Sequence, residues 1–221
     1  MMELTTVKGI VIKRNPVSEY DQLVTILTAD RGKITAFAKG ARRPGNHLSG
    51  AVEPFCFGEF RLFTGRTSYN IQEAVISNFF ESFRQDLDGA MYGTYFMELA
   101  DYYARENNNE YDLLKLLYQS LRALENSSFD NRLVRCIYEI KTLQIEGEFP
   151  GLPTDRAYEN STKYAVDFIA GTKVEKLYTF KVTDDVLLEL MHITDIYRKH
   201  FIDRKLKSME MIEMIEKGQL S

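Results

Sequence analysis

The chain has 221 residues, 44% of them hydrophobic and 27% charged, with a formal net charge of −4; this is the composition of an ordinary globular protein long enough to bury a core. No apolar run approaches the roughly 18 residues a membrane span requires, and the first residues are acidic and polar where a secretory signal would be basic and then apolar. Two cysteines, Cys56 and Cys136, fit a reducing compartment better than a disulfide scaffold, so a cytoplasmic protein without membrane contact is expected.

The first 80 residues read as strands. Val7–Lys13 is β-branched and loosely alternating, and Leu23–Thr28 continues in the same style. Asp30-Arg31-Gly32-Lys33 then reads as a hairpin turn, and Ile34–Ala38 as a third strand. A polar, glycine-bearing loop, Lys39-Gly40-Ala41-Arg42-Arg43-Pro44-Gly45-Asn46-His47, separates these from two further strands at Phe55–Phe63 and Tyr69–Ile76. Five short strands in about 75 residues suggest a small closed barrel. The pattern fits the oligonucleotide-binding (OB) type, and an SH3-like barrel would produce nearly the same one.

Near Phe79 the period changes from 2 to 3.6. Phe80, Phe83, Leu87, Met91, Tyr95, Leu99 and Tyr102 recur at helical spacing, and Glu110–Leu124 and Asn131–Ile145 repeat the pattern. Asn109 and Asp130 stand where N-caps are useful. Gly147, Pro150, Gly151 and Pro153 break the helices, and the stretch around Tyr164–Val166, Phe168–Ile169, Gly171 and Val174 reads as a short hairpin or irregular insert. Thr183-Asp184-Asp185 caps a long helix through Val186, Leu190, Ile193 and Tyr197, and a terminal helix covers Lys207–Lys217. The expected class is α+β: a barrel over residues 1–78, then a mainly helical domain over 79–221 with an insert at about 147–180.

Searches for catalytic chemistry return nothing. Gly40-x4-Gly45 resembles the start of a P-loop, but Asn46-His47 stand where Lys-Ser/Thr belongs. His47, His192 and His200 are scattered, and the eight-residue separation of the last two is not metal-ligand spacing. Neither cysteine has a histidine nearby to activate it. Asp21, Glu53 and Glu73 show no spacing that would suit a metal-dependent nuclease. The chain is therefore expected to be no enzyme and to hold no cofactor or metal.

The basic residues do form a pattern. Residues 1–80 hold ten Lys/Arg against seven Asp/Glu, whereas residues 81–221 hold eighteen against twenty-five, so an anionic partner is expected for the first part only. The cations fall at strand ends and loops: Lys13 and Arg14, Arg31 and Lys33, Lys39, Arg42 and Arg43, and Arg61 and Arg66. A positive groove that follows phosphates, with rings that stack on bases, is how OB-folds hold single strands. Phe37, Phe63 and Tyr69 are the available rings, of which Phe37 and Phe63 read first as barrel core.

The blocks Asp21-Gln22-Leu23-Val24-Thr25-Ile26-Leu27-Thr28, Asp30-Arg31-Gly32-Lys33 and Ala38-Lys39-Gly40-Ala41-Arg42-Arg43-Pro44 resemble the N-terminal signature of the RecO family of recombination mediators. Leu48, Ala51-Val52-Glu53-Pro54-Phe55 and Ile71-Gln72-Glu73-Ala74 continue the likeness. It is close over about 75 residues, while the helical remainder agrees only in layout. The resemblance implies an OB-fold followed by a helical domain. It also implies binding to single- and double-stranded DNA, annealing of complementary strands, and work with RecR and the single-stranded DNA-binding protein SSB in loading recombinase, in a cytoplasmic, nucleoid-associated setting. Carried onto this chain, the candidate DNA contacts are Arg14, Arg31, Lys33, Lys39, Arg42, Arg43 and Arg66. Many members carry a CxxC…CxxC zinc site after the central helices. Here Gly147–Lys176 contains no cysteine, so no zinc is expected and an apolar cluster of Tyr164, Phe168 and Val174 would hold the insert. The competing reading is an adaptor whose acidic helical half docks proteins through Tyr102, Tyr103, Met209, Met211 and Met214.

Overall fold

The computed structural model describes residues 3–65 and 68–219. These form the strands β1 (Glu3–Pro16), β2 (Gln22–Thr28), β3 (Lys33–Ala38), β4 (Phe57–Thr64) and β5 (Tyr69–Asn78). They also form the helices α1 (Leu87–Tyr103), α2 (Tyr111–Leu124), α3 (Asn131–Ile145), α4 (Asn160–Gly171), α5 (Asp184–Phe201) and α6 (Lys207–Gln219), with single 3-10 turns at Glu81–Arg84 and Val174–Lys176.

The strands run β1-β2-β3-β5-β4 and close into a barrel, because β4 also pairs with β1, Glu3 opposite Thr64 through Ile10 opposite Phe57. All neighbours are antiparallel except β3 and β5, which pair in parallel over only Ala36–Tyr69 and Phe37–Asn70. This ring order with one short parallel seam is the OB arrangement and decides against the SH3-like alternative. The barrel core takes Val7, Val11, Val24, Ile26, Ile34, Phe60, Leu62 and Ile71 from the strands. The long β3–β4 loop adds Ala41, Leu48, Val52 and Cys56, all nearly inaccessible. Each large side chain removed from water contributes roughly 1.5–3 kcal/mol, so this loop is packed structure and not a free tether.

Alternation corrects one expectation. In β3 the inward residues are Ile34, Ala36 and Ala38, which leaves Phe37 half-buried on the outer face beside Lys33 and Thr35. In β4, Phe60 and Leu62 point in and Phe63 is half-buried on the other side. Neither Phe37 nor Phe63 belongs to the core. The period of 2 is strict, and in β3 it gives the inside to small residues.

The chain divides into two compact units: the segment up to Glu81 together with Met97–Leu114, and Ser82–Phe96 together with the chain from Lys115 onward. In the first unit, Gly32 takes φ +66° in the β2–β3 turn, where an added Cβ would meet the Arg105 carbonyl oxygen at 1.9 Å. Only glycine permits that approach. Around it, the Lys33 N–H donates to the Arg105 carbonyl at 2.9 Å, the Asn107 N–H to Arg31 at 3.0 Å and the Glu110 N–H to Ala29 at 2.9 Å.

In the second unit α3 is the central helix, buried without interruption from Leu133 to Leu143. Tyr138 stacks on Phe96 at 4.3 Å and donates its hydroxyl to the Phe96 carbonyl. The buried charges find partners: the Glu139 carboxylate accepts from the Tyr95 hydroxyl at 2.6 Å and from Arg135 at 3.3 Å, with Arg198 at 3.7 Å. Asp130 caps α3 by accepting from the Arg132 N–H; in the first unit, Asn109 accepts from the Tyr111 N–H at the start of α2.

The insert is helical rather than a hairpin. α4 buries Thr162, Ala165, Val166 and Ile169, one face at spacing i, i+3, i+4, i+7, and Lys141 donates to the Ala170 carbonyl at 2.8 Å. Tyr164, expected to help hold the insert, is 72% exposed. Among the described residues no helix is long and apolar enough to cross a membrane.

Candidate nucleic-acid interface

The candidate site is built on the β1–β2 turn. Ser18 accepts from the Asp21 N–H at 3.0 Å, which tightens residues 17–21 into a side-chain-closed turn. The β3–β4 loop is then tied to that turn at three points. Gly40, at φ +67°, donates its N–H to the Asp21 carboxylate at 2.7 Å. The Arg42 N–H donates to the Tyr20 carbonyl at 3.0 Å, and the Arg42 guanidinium donates to the Ser18 carbonyl at 3.0 Å. Arg43 lies over the Tyr20 ring, 4.6 Å from its centre, a cation–π contact that leaves the guanidinium edge open to solvent. Arg14, near the end of β1, pairs with Glu53 of the same loop. Lys39 is exposed and, among the described residues, has no ion pair.

Arg14, Lys39, Arg42 and Arg43 are thus brought together at one end of the barrel. Arg31 and Lys33 are not. In the β2–β3 register Gln22 faces Ala38 and Leu27 faces Lys33, so the two groups sit at opposite strand ends, about 17 Å apart at 3.4 Å per residue. Lys33 is also committed to structure, donating to the Asp101 carbonyl at 2.7 Å and to its carboxylate at 3.0 Å. Arg31 is half-buried and donates to Thr5. Arg66 lies outside the described residues. Arg61 faces Glu73 across β4 and β5 at 3.4 Å.

Two residues that carry this end of the barrel escaped sequence reasoning as site residues. Tyr20 is the platform for Arg43, and nothing in its local sequence separates it from a surface tyrosine. Asp21 orders the loop. Its carboxyl is held below the usual carboxylate range, first by the Gly40 N–H and also by Ser18 and the charges of Arg43 and Lys39, against an opposing desolvation.

Between the two ends, on the outer face of β2 and β3, lies a pocket of about 420 Å³ lined by Leu23, Phe37, Thr35, Thr64, Ser68, Tyr69, Glu106 and Asn107, among others. Leu23 and Phe37 are direct cross-strand partners. The strand that holds Leu23 begins one residue after Asp21, and Phe37 precedes Lys39 by two. The cationic end and the pocket therefore follow one continuous outer surface.

The ring order, the loop packed over one end and the outer groove beside β2 and β3 define an OB-type barrel joined to a helical domain. The model for the recombination protein O N-terminal domain matches residues 2–80, and that for the recombination protein O C-terminal domain matches residues 84–154. The chain belongs to the RecO family. It is 26% identical to a DNA repair protein RecO of Acetivibrio thermocellus, over 98% of this chain and 99% of that protein. A DNA repair protein RecO of Clostridium perfringens strain 13 is 28% identical over 97% of this chain and its own full length. One from Caldicellulosiruptor bescii is 38% identical over 67% of this chain and 60% of its own.

Proposed function

We propose that this protein is a DNA-binding and strand-annealing recombination mediator in DNA repair, acting with RecR and SSB to load recombinase on single-stranded gaps. The observation that carries the DNA-binding part is the cluster of Arg14, Lys39, Arg42 and Arg43 around the β1–β2 turn, three of them anchored by backbone, ring or carboxylate contacts. Annealing requires no bond-making residue. It requires fixed positive charge that offsets the repulsion of two phosphate backbones while base edges stay free to pair. Lys39, Arg42 and Arg43 supply that charge from a loop whose apolar side is locked into the barrel core. The similarity to proteins named DNA repair protein RecO supports the same reading, and a DNA substrate would put that work in the cytoplasm at the nucleoid.

Binding of a fluorescent single-stranded oligonucleotide across a salt series tests it. Each phosphate contact on a single strand contributes about −0.7 to the slope of log K against log salt. Arg42→Ala/Arg43→Ala is expected to weaken binding and to flatten that slope by roughly 1.4. Unchanged affinity and slope would remove this loop from the interface.

The adaptor reading retains one supporting observation. Tyr103 and Met209 are buried, but Met211 and Met214 of α6 are exposed, 55% and 74%, on the flank opposite the buried Met209 and Ile212. Binding partners that persist after nuclease treatment and are lost on Met211→Ser/Met214→Ser would favour it.

A further inference from the structure

The pocket on the outer face of β2 and β3 differs in charge from the loop beside it. Among the described residues its lining holds one cation, Lys33, which is spent on the Asp101 carbonyl and carboxylate. Glu106 is exposed at its edge and, among the described residues, carries no ion pair. A backbone bridge between Gly32 and Glu106 fixes this residue against the β2–β3 turn, so it does not depend on a free loop for its position. Next to it, Asn107 sits in the left-handed region at φ +56° with its N–H donated to the Arg31 carbonyl. Phe37 and Tyr69, both half-buried, supply aromatic surface, and Thr35, Thr64 and Ser68 supply hydroxyls.

A carboxylate without an ion pair among the described residues repels a phosphate. It accepts hydrogen bonds from an amine. A planar base offers both things this pocket complements: a π-face for the rings, and, in cytosine, adenine and guanine, an exocyclic amine for an acceptor. Thymine presents carbonyl oxygens at the corresponding positions and keeps only the N3–H between them as a donor, so it offers the Glu106 carboxylate the poorer match.

We infer that this pocket is a base-binding subsite that favours bases bearing an exocyclic amine over thymine, with Glu106 as the selecting residue. It rests on the DNA-binding reading above and divides the labour within it. Lys39, Arg42 and Arg43 hold the backbone, and the pocket holds an unstacked base of the same strand. Because stacking in a duplex hides the base faces that Phe37 and Tyr69 would hold, the selectivity belongs to single strands.

The test uses the full-length protein with fluorescent oligo(dC) and oligo(dT) of equal length at neutral pH. The wild type is expected to bind oligo(dC) roughly fivefold more tightly, the net worth of one ordinary hydrogen bond at a solvent-exposed acceptor. Glu106→Ala removes an exposed side chain and leaves the backbone bridge intact, so folding is spared. It is expected to bring the two affinities together, mainly by weakening oligo(dC). Glu106→Gln, which can donate to thymine O4 as well as accept, is expected to narrow the gap by tightening oligo(dT). Equal affinities in the wild type, or a preference that survives Glu106→Ala, would overturn the subsite while leaving the phosphate-binding loop standing. Binding of both oligonucleotides that is indifferent to Arg42→Ala/Arg43→Ala would instead defeat the parent reading.

Discussion

Asp21 has two opposed effects on the cationic end of the barrel. It subtracts a charge from the surface offered to phosphate, and it holds that surface in place through the Gly40 N–H. Because Gly40 leads directly into the Arg42 contacts with Ser18 and Tyr20, loosening it releases three linked residues at once. The lost repulsion concerns a single solvent-facing charge and is screened by salt. Ordering should therefore win, and Asp21→Ala is expected to weaken oligonucleotide binding even though it makes the barrel more basic. Tighter binding by Asp21→Ala would show that charge, not preorganisation, limits affinity. The pH dependence follows from the same contact. The carboxyl is depressed below its ordinary 3.8 in the folded protein, so its stabilising effect is fully present above that value and is lost as pH falls through the lower folded one. Protection of the Gly40 amide, taken relative to its intrinsic exchange rate, should hold at neutral pH and fall only below about pH 4, whereas in Asp21→Ala it should be low throughout.

At the scale of elements, the barrel strands were legible and α4 was not, for a definite reason. β2 and β3 alternate with aliphatic inner positions bounded by turn residues, which is strong strand evidence. The buried face of α4 is Thr162, Ala165, Val166 and Ile169; one polar, one small and two β-branched residues make a weak helical stripe, and the eye goes to Tyr164 and Phe168 instead. Those rings do meet, 6.4 Å apart, and Phe180 packs edge-on against Phe168 at 5.1 Å, but Tyr164 faces solvent. The two faces predict different costs. Ile169→Ala empties a fully buried site and should lower stability by about 2–5 kcal/mol. Tyr164→Ala should fall within about 0.5 kcal/mol of wild type. Urea midpoints for the pair decide between them, and a larger loss at Tyr164 would mean that the aromatic ladder anchors this helix.

Across the whole molecule, what sequence could not deliver was the grouping of cations, since Lys33 and Lys39 are six residues apart and look alike. Strand length separates them to opposite ends, and a carboxylate from a helix far along the chain, Asp101, takes Lys33 out of the interface. The same long-range contact bears on where the barrel ends. Strand evidence stops at about residue 78, yet Met97–Leu114 groups with the barrel, and its backbone serves the β2–β3 turn through Arg105, Asn107 and Glu110. Three backbone hydrogen bonds and the Lys33–Asp101 pair, at about 0.5–1.5 kcal/mol each, amount to a large share of the total expected for a unit of some 80 residues at roughly 0.05–0.15 kcal/mol per residue. A fragment ending at Glu81 should therefore retain strand content by circular dichroism but unfold at clearly lower urea than the barrel within the full chain. In that fragment the Lys33 amide, deprived of the Arg105 carbonyl, should exchange freely while amides in the middle of β1 and β2 stay protected. A fragment with the same midpoint and a protected Lys33 amide would mean that the turn closes without the helical segment and that the barrel is complete in its strands.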